Sequence, residues 1–129
     1  MDKNVRFFLE KLKKRKDFGR VKFIILFGSQ ARGNPNKFSD YDFAVYYDAN
    51  SDERYEFRKD FGGDFSDKFD VLVFQDLPLY IQKEVIKGKI IYVVDEGFLY
   101  DVAYKTIKRF EDFKKYYYDY INRRPVLSW

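Results

Sequence analysis

The segment FGSQARGNPNKFSDYDFAV, Phe27 to Val45, holds a glycine-punctuated turn and two aspartates two residues apart. How it is read decides the fold, because strand-like sequence lies on both sides. Upstream, VKFIILF (21–27) is a short apolar, β-branched run that Gly28 ends, which predicts a buried strand. Downstream, DYDFAVYY (40–47) and FDVLVF (69–74) predict two more.

Working outward, Val5, Phe8, Leu9 and Leu12 recur at i, i+3, i+4 and i+7, which predicts an amphipathic helix over residues 3–16. SDERYEFRKDF reads as a short helix with Asn50 or Ser51 as N-cap, closed by Gly62-Gly63. Pro78 opens another helix that Gly88 ends, and KIIYVV (89–94) is a fourth strand. From Phe98, an apolar stripe of Val102, Ile107, Phe110, Phe113, Tyr117 and Ile121 predicts a last helix that Pro125 stops. Helices alternating with strands imply an α/β (α+β) fold, a mixed sheet covered by helices.

Composition narrows the chemistry. At 129 residues the chain suits one domain, 1–129, and 46% hydrophobic with 22% aromatic residues predicts a packed core. No apolar run approaches the roughly 20 residues of a membrane helix. The charged N-terminus lacks a signal peptide's apolar core, which places the protein in the cytoplasm. There is no cysteine and no histidine. Thiolate nucleophiles, Cys-based zinc sites and the usual general base are thereby excluded. Catalysis must run on carboxylates, hydroxyls, Lys or Arg, and a hard cation such as Mg²⁺. A net charge of +4 mildly favours anionic ligands and is too small to argue for a nucleic-acid groove.

GSQARGNP has the G-x-x-x-x-G frame of a phosphate loop, but Asn34-Pro35 stands where Lys-Ser/Thr should follow. What survives is a strand ending in Gly28-Ser29 before a short helical turn, whose N–H groups and Ser29 hydroxyl can hold a phosphate. Taken alone, Gly28 reads more simply as a tight strand exit. Asp40 and Asp42, i and i+2 on a strand, point to one face roughly 6–7 Å apart at Cα, so both can lean onto one cation. With 15 aspartates in the chain, that pair alone is weak, and Asp40 could instead cap the loop while Asp42 faces solvent. DANSDERYEFRK (48–59) starts like a calcium loop, but Glu53 replaces the required Gly and Lys59 the required Glu. Jointly, Gly28-Ser29, ten residues, then Asp40-x-Asp42 is a pattern that chance yields at a rate on the order of 0.003 in such a composition. Asp70 then interrupts the apolar run KFDVLVF, where it reads either as a buried charge, costly unless paired or metal-bound, or as an aspartate on an edge strand.

These residues resemble the minimal nucleotidyltransferases (MNT), a branch of the polymerase-β nucleotidyltransferase superfamily. The likeness rests on Gly28-Ser29, Ala31-Arg32-Gly33, Ser39-Asp40-Tyr41-Asp42 and Asp70, with LPLYIQKEVIKGKIIY as the family's helix–glycine–strand segment, and covers roughly residues 20–95. It implies a polymerase-β-like fold and transfer of a nucleoside monophosphate from an NTP to a hydroxyl. Many such proteins are antitoxins of HEPN–MNT pairs, which add AMP from ATP to a tyrosine of the HEPN ribonuclease toxin. On that likeness, Asp40, Asp42 and Asp70 hold two Mg²⁺ ions, and Asp70 accepts the proton of the incoming hydroxyl. Gly28, Ser29 and Arg32 cradle the β- and γ-phosphates.

Two other readings compete: a noncatalytic module that masks its partner, and a nucleotidyltransferase acting on a small molecule or RNA end. The three acids argue against the first, and the absence of a second domain in so short a chain argues against the other. No residue identifies the base, the acceptor, the number of nucleotides added, or a homo- or hetero-oligomeric state. At the C-terminus, FKKYYYDYINRRPVLSW (113–129) crowds four tyrosines and a tryptophan. It reads either as a last helix with a frayed tail or as a docking surface. Basic residues at 11–16 read as a solvated helix face.

Overall fold

The computed structural model describes residues 1–28, 41–63, 65 and 68–123. Four strands, β1 (Val21–Phe27), β2 (Tyr41–Tyr47), β3 (Phe69–Val73) and β4 (Lys89–Val93), form a sheet of order β3-β2-β1-β4. β1 runs antiparallel to β2 and β4, whereas β2 and β3 are parallel, so the sheet is mixed as the element pattern implies. Helices α1 (Lys3–Lys13), α2 (Ser51–Gly62), α3 (Leu79–Val85) and α4 (Glu96–Arg123), with short 3-10 turns at Phe18–Arg20 and Phe74–Asp76, complete the described elements.

Strand alternation divides the core into two. Tyr41, Phe43 and Val45 of β2, with Ile24 and Leu26 of β1, face α1 and α2 through Phe8, Leu12, Phe57 and Phe61. Phe8 lies flat on Phe43, with ring centroids 3.8 Å apart. Ala44 of β2, with Phe23 and Ile25 of β1, faces α3 and α4 through Val85 and Leu99. Burying each of these phenylalanines contributes on the order of 2–3 kcal/mol.

α1 stops three residues before the periodicity suggests. There the chain turns so that Arg15 can grip Asp17 through two nitrogens, at 2.9 and 3.1 Å. α4 starts two residues earlier than expected, because the Asp95 carboxylate accepts from the Gly97 and Phe98 amides and caps it. Gly88 closes α3 where a Cβ would collide with the Leu26 carbonyl, so glycine lets β4 return flush along β1.

Candidate functional site

The site grows from the corner where β1 ends and β2 and β3 begin. Phe27 pairs with Asp42 across the β1–β2 ladder, and Asp42 pairs with Asp70 across β2–β3. Register partners in neighbouring strands present their side chains to the same face, with backbones about 4.8 Å apart. The two carboxylates are therefore neighbours on one sheet face. They share the side on which α3 and α4 pack, beyond the edge of that apolar cluster.

Gly28 completes the corner. Its φ of +82° lies where L side chains strain, and a Cβ there would stand 2.6 Å from Asp42 Oδ2. The absent side chain is what lets the chain leave β1 directly over the Asp42 carboxylate. Asp42 is half-buried and Asp70 exposed.

Exposure of Asp70 corrects one expectation. Of the two readings of this acid, the buried charge fails and the edge-strand aspartate holds, because β3 is the sheet edge and Asp70 opens to solvent there. Its claim to the site rests on register with Asp42, not on burial. Asp40, Ser29 and Arg32 lie outside the described residues, and among the described residues no three acidic side chains converge.

Two adjacent carboxylates repel unless a cation sits between them, and hard oxygen donors of this kind suit Mg²⁺. The donor chemistry thus fits a divalent hard cation.

Sequence reasoning missed how the residue between the two aspartates is held. Tyr41 points to the opposite face, where its hydroxyl donates to Asp2 Oδ2 at 2.9 Å and accepts from Asn4 Nδ2 at 3.1 Å. Its backbone N–H donates to the Lys68 carbonyl at 2.8 Å. Asp2 also caps α1 through the amides of Asn4 and Val5. Burial pushes the Asp2 carboxyl up, but the Tyr41 hydroxyl and those two amides outweigh it and hold it below the usual carboxylate value. Burial raises the Tyr41 phenol in turn, with Asp2 adding to it against Asn4. The helix cap and the start of the site strand are one hydrogen-bonded unit, joining residues 39 apart in sequence. An alternation pattern carries no signal for such a link.

Against known proteins, residues 9–97 match the family described as polymerase beta, nucleotidyltransferase. That span contains Gly28, Asp42 and Asp70. The chain is 34% identical over 93 residues to MJ1547 of Methanocaldococcus jannaschii, which is named as a protein adenylyltransferase; the match spans 71% of each chain. The fold resembles a toxin–antitoxin crystal structure with AMP-PNP at 20% identity, covering 90% of this chain and 94% of that one, with a TM-score of 0.68. It also resembles the structure of a tri-AMPylated Shewanella oneidensis HEPN toxin in complex with MNT antitoxin. There the identity is 18%, the coverage 95% and 97%, and the TM-score 0.65. The mixed sheet with its helices is the polymerase-β-like nucleotidyltransferase fold. The chain belongs to the polymerase-β nucleotidyltransferase family.

Proposed function

We propose that this chain, as a single domain acting in the cytoplasm, transfers AMP from ATP to a tyrosine hydroxyl of a HEPN ribonuclease toxin and so acts as its antitoxin. The observation that carries this reading is the register pairing of Asp42 with Asp70 directly beside Gly28. The naming of the archaeal relative as a protein adenylyltransferase supports a protein acceptor, and the toxin–antitoxin complexes that share the fold support the partner.

In the proposed reaction the acceptor oxygen attacks the α-phosphorus of ATP, the bond to pyrophosphate breaks, and the hydroxyl proton passes to Asp70. Asp40, Asp42 and Asp70 would hold the two Mg²⁺ ions. When bound, the ions supply charge neutralisation and acidify the acceptor hydroxyl, so no histidine is needed. Gly28, Ser29 and Arg32 would hold the β- and γ-phosphates in line with the departing pyrophosphate. The open position of Asp70 at the sheet edge suits an acceptor carried on another protein, since a folded partner can approach it from solvent.

Incubating the chain with Mg²⁺, α-labelled ATP and its HEPN partner tests the reading. Label should enter the partner, and Asp42→Asn should lower incorporation at least about 100-fold while the chain still folds, as circular dichroism would show. Undiminished incorporation by that variant would contradict the proposal.

A further inference from the structure

Helix α4 runs 28 residues, about 42 Å at 1.5 Å per residue. Its first half belongs to the body. Leu99 and Thr106 are buried, Phe98 and Val102 pack against the cluster of Phe23, Ala44 and Phe74, and the Lys83 ammonium lies 4.1 Å from the Phe110 ring centroid. From Glu111 to Asn122 every residue is exposed.

The apolar stripe nevertheless continues. At 100° per residue, Phe113, Tyr117 and Ile121 lie on the same face as Leu99, Thr106 and Phe110. Those three are 57%, 50% and 44% exposed, and the Phe113 and Tyr117 rings stack with centroids 6.2 Å apart. A helical segment of this length is marginal in water on its own, and an i,i+4 aromatic pair such as Phe113–Tyr117 adds only a small increment to its stability.

We infer that this distal face of α4 is a docking surface for a partner whose apolar groove is rimmed by carboxylates. That partner is the HEPN protein proposed above, and its identity rests on that reading. Charge selects this occupant over a second copy of the chain. The charged residues nearest the stripe are Lys114 and Arg109, roughly 60° and 80° to either side, while the acids Glu111, Asp112 and Asp119 lie roughly 120–160° away. Pairing two copies along the stripe would set these cations against their own kind. Carboxylates on a partner would neutralise them, and the partner's apolar surface would continue the α3–α4 layer.

The test compares wild type with Phe113→Ala/Tyr117→Ala and with Arg109→Glu/Lys114→Glu. Binding of the cognate HEPN protein is measured by calorimetry, together with AMP transfer, melting temperature and sedimentation. The aromatic variant should weaken binding at least about 30-fold with its melting temperature unchanged. The charge variant should bind more slowly and lose the salt dependence of the on-rate. Unchanged affinity and unchanged KM for the HEPN protein would overturn the docking surface and leave the transfer reading intact. Docking through the stripe without AMP transfer would support the surface and sink the transfer reading. A wild-type dimer abolished by the aromatic variant, or a large fall in that variant's melting temperature, would overturn the inference, because a second copy or the chain itself would then be the occupant. A wild-type chain that fails to bind the HEPN protein overturns it as well.

Discussion

Gly28 stands so close over Asp42 that a single added methyl would lie 2.6 Å from the carboxylate oxygen Oδ2. Gly28→Ala must therefore both hold a side chain at φ +82° and displace a proposed ligand. The backbone strain alone costs about 1–2 kcal/mol. The variant should melt lower and lose at least about tenfold in kcat for AMP transfer, because a shift of this kind misplaces the reacting groups. Wild-type kcat in this variant would show that the contact does not matter for the chemistry.

Asp70 separates activity from stability. It is exposed on the edge strand, so Asp70→Asn should change unfolding free energy by less than about 0.5 kcal/mol. Transfer should nonetheless fall about 100-fold or more if the residue accepts the proton. Denaturant melts and single-turnover transfer rates check both halves. Lost stability with retained transfer would make Asp70 a structural residue.

The Tyr41 hydroxyl ties the strand of the site to the N-cap of α1. Tyr41→Phe removes that tie and should cost about 1 kcal/mol of stability. The pH dependence of the difference has a defined sign. The folded Asp2 carboxyl is held below its unfolded value, so its contribution is present above the unfolded value near 3.9 and fades as pH falls through the folded one. Wild type and Tyr41→Phe should therefore converge in stability on acidification. Acid titration of the two unfolding free energies reads this directly, and a gap that stays constant to the acid limit would contradict it.

Tyr47 makes the opposite prediction at alkaline pH. Burial first, and then the hydroxyl's hydrogen bond to Asp17 at 2.9 Å, pushes its phenol up to about 12. A raised folded value means stability fully present below the unfolded value of about 10 and lost as pH rises through the folded one. The loss between those limits is roughly 2 kcal/mol for this buried ring. Tyr47→Phe should flatten the stability curve over that window. An equally steep alkaline decline in the variant would mean that another group sets it.

The strands and the sheet were legible because alternation is a local property. VKFIILF and YDFAVYY declare their faces within a few residues, and the positive-φ turn at Gly28 follows from where the first strand stops. Whether Asp70 sits at an edge or inside the sheet could not be decided from sequence, since FDVLV reads alike at an edge and at a centre until strand order is known. The ties of Tyr41 to Asp2 and of Tyr47 to Asp17 join residues 39 and 30 apart, and only three-dimensional packing brings such groups together. The Asp42–Asp70 pairing lies between these cases. The residue types pointed to it, but only the parallel register shows them side by side.

The most direct measurement is the intact mass of the HEPN partner after incubation with this chain, ATP and Mg²⁺. The account predicts a partner heavier by whole adenylate units on a tyrosine, with no gain when Asp42→Asn replaces the wild-type chain. A partner silenced with its mass unchanged, or equally labelled by the Asp42→Asn chain, would contradict it.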